Sequence, residues 1–239
     1  MNREKTLLII EDNPRDRDYL DSLFPDYAVA KLADGNEAAS IINERYFPYI
    51  ISDIQMPGMD GIQLAKTLWQ THKNSRIIFW TQFSDEMYLR ALAKIIPPET
   101  VYGFVLKNNR AETLRKAAQT VFVENQCWID SKVRPVQARL HNPHQALTDT
   151  EYEALIDIAL GLTDNTIAKR RYLSRRGVQN RLKSLYEKIT EENGFSLCSE
   201  AFNSRSRTIS IAFRRGLINA FTLEEEEKKL QSWLSEDND

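Results

Sequence analysis

The sequence predicts an α/β domain, a five-stranded doubly wound parallel sheet, followed by a second, all-α domain. Three observations carry this. Short apolar, β-branched runs alternate with helical patterns five times over the first half of the chain, the signature of crossover-connected parallel strands. After residue 146 every periodic segment has helical spacing. Between the two, residues 126–146 hold Pro135 and Pro143 without sustained periodicity, which reads as a linker with a short helix. The expected division is residues 1–125 for the α/β domain, 126–146 for the linker, 147–220 for the helical domain and 221–239 for an acidic helical tail.

Residues 6–10 form an apolar run ending in Glu11-Asp12-Asn13-Pro14. Pro14 suits a first helical turn, and Tyr19, Leu20, Leu23 and Phe24 give that helix an inward face. Residues 27–33 read as the second strand, Asp34-Gly35-Asn36 as a turn, and Ala38, Ile41 and Ile42 mark the second helix. Tyr49, Ile50 and Ile51 lead into Asp53, a Pro57-Gly58 turn, and a helix carrying Ile62, Leu64, Ala65, Leu68 and Trp69. Residues 76–81 are the fourth strand, and Met87, Leu89, Ala91 and Leu92 mark its helix. Residues 101–106 are the fifth strand, ending at Lys107, and Leu114, Ala117, Ala118 and Val121 mark the fifth helix.

Composition bounds the function without naming it. With 42% hydrophobic residues over 239 positions a core for each domain is available, and a net charge of −2 leaves any basic patch to be local. Cys127 and Cys198 do not make a disulfide framework and fit a reducing compartment. No apolar run reaches membrane-spanning length, and the run after Met1 is too short for a signal peptide. A cytoplasmic location and no membrane partner are therefore expected.

The strand ends carry the chemistry. Glu11 and Asp12 follow the first strand, Asp53 the third, Thr81 ends the fourth and Lys107 follows the fifth. In a right-handed doubly wound sheet these ends share one edge, where ligands bind. Carboxylates gathered there repel one another, and a hard divalent cation such as Mg2+ relieves the repulsion while keeping positions for water and phosphate. A carboxylate beside such an ion can attack phosphorus and form an aspartyl phosphate. Lys107 offers a compact positive charge to phosphoryl oxygens, and Thr81 a hydroxyl.

On Ile9-Ile10-Glu11-Asp12-Asn13-Pro14, residues 53–61, Thr81 and Gly103-Phe104-Val105-Leu106-Lys107, the first 125 residues resemble the receiver domain of bacterial two-component response regulators, a flavodoxin-like fold. The resemblance implies that Asp53 is the phosphoacceptor for a sensor histidine kinase. It implies that Glu11, Asp12, Asp53 and the carbonyl of Gln55 hold Mg2+, that Thr81 and Lys107 grip the phosphoryl group, and that Phe104 is the aromatic that moves with Thr81. Between Leu92 and Gly103 the chain is longer than receivers usually are, with Ile95-Ile96-Pro97-Pro98 inserted on a face receivers use for switching and dimerisation. Aspartate-nucleophile phosphatases also place an Asp at a strand end, but with a second Asp two residues on; Gln55 stands there, which argues against an enzyme.

In the second half, Thr148-x-x-Glu151 is a capping box opening a helix with Tyr152, Leu155, Ile156 and Ala159 inward and Gly161 at its end. Thr163 can cap the next helix, and Ser174 a third carrying Val178, Leu182 and Leu185. Short helices joined by tight turns fit a helix-turn-helix. Residues 163–190 carry eight cationic side chains against two acidic ones, which suits contact with the phosphates of double-stranded DNA. On Leu147-Thr148, Leu155, Gly161, Ile167-Ala168, Leu173-Ser174, Val178, Asn180, Leu182 and Gly216-Leu217-Ile218, the segment resembles the LuxR-type helix-turn-helix of NarL/FixJ-family response regulators. By that resemblance residues 174–189 are the recognition helix. Gln179, Asn180 and Lys183 would face base edges, with Arg175, Arg176 and Arg181 nearer the backbone, in a homodimer on DNA. Gly177 early in that helix, Thr166 in place of an acid, and extra residues around 191–200 depart from the family pattern.

A helix over residues 205–215 stopped by Gly216, and an amphipathic segment over 222–234 with Leu223, Leu230, Trp233 and Leu234 on one stripe, complete the chain. The stripe is expected to pack on its own domain. His141 and His144 read as linker residues rather than metal ligands, and Cys127-Trp128-Ile129 as an anchor for the linker. The expected function is a phosphorylation-controlled DNA-binding transcriptional regulator. Its rival is an atypical response regulator controlled by a protein partner.

Overall fold

The computed structural model describes residues 5–140, 142, 146–191 and 202–236, with the backbone alone at 190 and 191. His141, His144, Cys198, the additional residues 192–200 and the acids Asp237 and Asp239 lie outside the described residues. By contacts the chain divides into two compact units, Met1–Ser84 with Tyr88–Pro135, and Asp85–Met87 with Val136–Asp239.

In the first unit strands β1 (Thr6–Ile10), β2 (Ala28–Leu32), β3 (Tyr49–Ser52), β4 (Arg76–Thr81), β5 (Tyr102–Leu106) and β6 (Trp128–Ile129) alternate with helices α1 (Pro14–Leu23), α2 (Gly35–Glu44), α3 (Gly61–Thr71), α4 (Glu86–Ala93) and α5 (Ala111–Ala118), the last continued by a π-helical turn. All pairings are parallel and the strand order is β2-β1-β3-β4-β5-β6. The winding reverses between β1 and β3, which makes the gap beyond their carboxyl ends the topological switch point.

The sheet has six strands where the sequence predicts five. Gly103 pairs with Trp128 and Phe104 with Ile129, so the first part of the expected linker is a strand. A two-residue strand is too short to show a period, which is why sequence reasoning passed over it.

Leu7, Ile9, Ile51, Ile78, Trp80 and Val105 lie on one face with Leu20, Leu114, Ala117, Val121 and Phe122 from the helices. Alternation sends Leu8, Ile10, Ile50, Ile77, Phe79 and Phe104 to the other face, where they are equally buried. The helix starts follow from side chains: Asn13 accepts from Arg15 N–H, Asp34 from Asn36 and Glu37 N–H, and Asp60 from Ile62 and Gln63 N–H.

The second unit holds α6 (Arg134–Leu140), α7 (Asp149–Ala159), α8 (Asp164–Arg170), α9 (Arg175–Glu191), α10 (Ser204–Arg215) and α11 (Ala220–Glu236). Leu155, Ile158, Ile167, Val178, Leu182, Leu185, Ile189, Ile211 and Leu217 share one core. Gly216 ends α10 at φ +65°, a left-handed position that favours glycine. Leu230 of α11 is buried and Leu223 packs against the same core, so the apolar stripe of the tail lies on its own unit, as the sequence predicts.

Glu151 ties α7 to α9. It completes the capping box with Thr148, accepts from Ser184 Oγ at 2.6 Å and pairs with Lys188 at 2.8 Å. Burial works against its charge, but Lys188, Ser184 and Thr148 outweigh that and hold its pKa at about 2 instead of 4.5. A depressed carboxyl stabilises the fold fully above its unfolded pKa and loses that contribution as pH falls through the folded one. Glu151→Gln is expected to lower the opening free energy of α7 and α9 by about 2 kcal/mol at neutral pH. The gap to wild type should close between pH 4.5 and about 2, read by amide hydrogen exchange; a gap independent of pH would contradict this.

Candidate functional site

The loops at the carboxyl ends of β1, β3, β4 and β5 converge. Glu11 N–H donates to Leu32 O at 3.1 Å and Asp53 N–H to Ile10 O at 2.9 Å, so each acid extends its strand's ladder by one residue. Lys107 N–H donates to Thr81 O at 2.7 Å, which fixes the lysine beside β4.

The Lys107 ammonium lies 2.7 Å from Glu11 Oε2, 2.9 Å from Asp53 Oδ2 and 2.9 Å from Asp16 Oδ2. Glu11 is fully buried and Asp53 is 4% exposed. Ile54 N–H donates to Asp53 Oδ1 at 2.6 Å and Gln55 N–H to the same oxygen at 3.3 Å, leaving Oδ2 to the lysine. Burial and the Asp53 charge push the Glu11 carboxyl up to about 7, although Lys107 and the Asn13 N–H pull it down. Burial disfavours the Lys107 charge, but Glu11, Asp53 and Asp16 outweigh it and raise its pKa. The lysine is therefore held protonated.

Glu11, Asp12 and Asp53 each offer a carboxylate oxygen within 4.8 Å of the others. Oxygen donors alone, at that mutual distance, fit a hard divalent cation. Asp12 is exposed, so a ligand there reaches solvent. Thr81 is fully buried, and its Oγ1 accepts from Phe83 N–H at 3.3 Å. Phe104 is also fully buried, its ring 6.3 Å from that of Phe79.

Two residues of the site escaped sequence reasoning. Asp16 reaches Lys107 from the first turn of α1 across 91 residues of sequence, so nothing local marks it. Trp80 presents its ring face 4.9 Å from the Lys107 nitrogen, a favourable place for a cation. Tyr19 stacks on Trp80 with centroids 5.9 Å apart. At 41% exposed, Tyr19 is a cover for this pair rather than the inward core residue the helical pattern predicts.

In the second unit, Ser174 Oγ accepts from Gly177 N–H at 3.1 Å and so caps α9. Val178, Leu182, Leu185 and Ile189 are buried, while Arg175, Arg176, Gln179, Asn180 and Lys183 are exposed and Arg181 is half-buried. The exposed set recurs at helical spacing and forms one polar stripe.

The local charge excess is smaller than the sequence count implies. Asp157, fully buried, pairs with Arg170 at 2.8 Å and with Arg171 through Nε at 2.8 Å. Lys188 is taken by Glu151, and Arg170 also lies 3.8 Å from Glu226 of α11. Among the described residues Arg175, Arg176 and Arg181 form no ion pair. The turn before α9 holds Tyr172 at φ +53° and almost fully exposed, a left-handed residue where glycine is usual.

Residues 7–119 match the model of the response regulator receiver domain. The first unit is such a domain. The chain thus carries a receiver domain joined to a helical second unit. It is 26% identical over 196 residues to the transcriptional regulatory protein YdfI of Bacillus subtilis, covering 80% of this chain and 84% of that one. It is also 26% identical to a nitrate/nitrite response regulator homologue of Haemophilus influenzae, over 79% of this chain and 92% of the other. Among solved structures, RcsB of Salmonella enterica serovar Typhimurium, bound to the promoter P1flhDC in the presence of phosphomimetic BeF3-, aligns with a TM-score of 0.60 at 21% identity, over 88% of this chain and 100% of that one.

Replacing Lys107 with methionine leaves Glu11, Asp16 and Asp53 without their shared cation. Lys107→Met is expected to cost the receiver about 3 kcal/mol in chelator, with most of the loss restored by millimolar divalent cation. Thermal unfolding with and without chelator checks this; a variant as stable as wild type in chelator would contradict it.

Proposed function

We propose that this chain is a phosphorylation-controlled, DNA-binding transcriptional regulator of a two-component system. The observation that carries the reading is the Lys107 ammonium 2.9 Å from Asp53 Oδ2, at a switch point also lined by Glu11 and Asp12. An oxygen of Asp53 forms a bond to phosphorus as the bond from phosphorus to the histidine nitrogen of a sensor kinase breaks. The electron pair leaves with that imidazole, which is neutral once released or picks up a proton from water. Lys107 exchanges the Asp53 carboxylate for a phosphoryl oxygen, and its raised pKa keeps it charged through the exchange. Thr81 donates its hydroxyl to a second phosphoryl oxygen, and Phe104 responds to that movement. Glu11, Asp12, Asp53 and the Gln55 carbonyl would hold Mg2+, which supplies charge neutralisation around the phosphoryl group.

In the output unit, α9 enters the major groove of double-stranded DNA. Gln179, Asn180 and Lys183 meet base edges, and Arg175, Arg176 and Arg181 meet phosphates. A homodimer in the cytoplasm fits this reading, and regulation without catalytic turnover is its consequence.

Acetyl phosphate with Mg2+ is expected to add one phosphoryl group, and Asp53→Asn to abolish it, by intact-mass spectrometry. Equal labelling of both proteins would remove Asp53 from the reading. For DNA, Arg176→Ala should weaken binding to all duplexes alike and reduce the salt slope by about 1, whereas Lys183→Ala should change sequence preference. Duplex binding untouched by either change at low salt would displace α9 from the groove.

A further inference from the structure

Directly after the sixth strand stands Asp130, a carboxylate 4% exposed that neither the metal cluster nor the phosphoryl chemistry uses. Its donors lie on both sides of Lys107. Leu106 N–H donates to Asp130 Oδ2 at 3.4 Å, and the Asn109 side-chain amide donates to the same oxygen. Asn109 also donates to Leu106 O at 3.0 Å. The other oxygen, Oδ1, accepts from Lys132 N–H at 2.9 Å. On the backbone, Asp130 N–H donates to Phe104 O at 3.0 Å, and the Asp130 carbonyl accepts from Val133 and Arg134 N–H.

The arrangement follows from the edge of the sheet. β6 is two residues long, so the outward N–H of Leu106 has no strand carbonyl to meet. A buried N–H left unpaired costs a desolvation penalty. The Asp130 carboxylate takes the place of the missing rung. A carboxylate acceptor makes a stronger bond than a carbonyl does, and it reaches two residues further along the loop to Asn109. Lys107 thus sits between two fixed points: its own N–H on Thr81 O, and its neighbours on Asp130.

We infer that Asp130 is a positioning residue for phosphoryl transfer: it holds the loop after β5 so that Lys107 points at Asp53, and links that loop to the chain leaving the receiver at Lys132. The inference rests on the reading of Asp53 as phosphoacceptor. Its consequence is a link between the switch residues of β5 and the exit of the receiver. Phe104, Leu106 and Lys132 are joined through one residue, so a change in the Lys107 loop is felt where the chain departs toward the second unit.

The test uses the full chain. The rate of labelling by acetyl phosphate is followed by intact mass, and Mg2+ binding by the fluorescence of the chain, in which Trp80 lies beside Lys107. Asp130→Ala is expected to lower the maximal labelling rate about ten-fold, since displacing a catalytic group by a fraction of an ångström costs this order. The Mg2+ concentration at half-saturation should stay unchanged, because Glu11, Asp12 and Asp53 keep their places. Asn109→Ala, which removes the same bridge from the loop side, should give a similar defect, and the double variant little more than either single one. Val133→Ala is the control: this buried neighbour loosens the segment without touching the carboxylate, and should lower thermal stability while leaving the rate within about two-fold.

An unchanged rate in Asp130→Ala with labelled wild type overturns the inference and leaves the proposed function intact. So does a defect matched by Val133→Ala and accompanied by weaker Mg2+ binding, which marks a structural role alone. Should Asp130→Ala fail to fold, Asn109→Ala decides by the same two readouts. Wild type that takes no label at Asp53 overturns the proposed function itself.

Discussion

One ammonium group among three carboxylates governs the first unit. Glu11, Asp16 and Asp53 lie within 2.9 Å of Lys107 Nζ, and two of them are buried. Like charges at this spacing in a poorly solvated place repel strongly unless a cation stands between them. The fold supplies that cation from β5, next to β4, and fixes it by its backbone bond to Thr81. Everything the site does depends on this balance being adjustable. Any ligand that alters the charge at Asp53 disturbs this balance, because Lys107 pairs with all three acids. Trp80 gives the lysine a second favourable surface, so movement of the ammonium changes the contacts of an aromatic pair as well as of the acids.

Much of this was legible in the sequence because the physics that places strands also places their ends. Buried parallel strands read as unbroken apolar runs, and each of the five long ones announces itself this way. Once they are ordered, Glu11, Asp12, Asp53, Thr81 and Lys107 fall on one edge without further information. What the sequence hid is of two kinds. β6 is too short for periodicity, and Trp128 and Ile129 look like any apolar pair in a linker. Asp16, Trp80 and Asp130 are ordinary residues in a helix, a strand and a loop; only the approach of segments distant in sequence brings Asp16 and Trp80 to Lys107 and Asp130 to its neighbours Leu106 and Asn109.

The second unit shows the opposite limit of sequence reasoning. The capping residues Thr148, Thr163 and Ser174 were legible because capping is local. The charge balance was not, because pairing is not local. Asp157 is 13 and 14 residues from Arg170 and Arg171, on a different helix, and its burial makes both arginines part of the fold. Counting residues 163–190 as one basic surface merges these structural cations with Arg175, Arg176 and Arg181, which form no ion pair among the described residues.

That separation bears on the acidic helix α11. Its glutamates are close in sequence to an apparent surplus of positive charge, and long-range attraction to α9 is the first idea they suggest. The structure spends them locally: Lys228 pairs with Glu225 at 2.6 Å and Lys229 with Glu226 at 2.7 Å, and Glu226 also meets Arg170 of α8. Arg170 is the arginine already committed to Asp157, so the acidic helix closes an internal network rather than covering the cations on α9. Leu223 and Leu230 give the reason it stays there: Leu223 packs against the core formed by α7–α10 and Leu230 is buried, and burial of apolar area holds a helix more firmly than exposed ion pairs do. The tail is thus an element of the output unit, and the arginines at the start of α9 are left facing solvent, where a phosphate backbone can reach them.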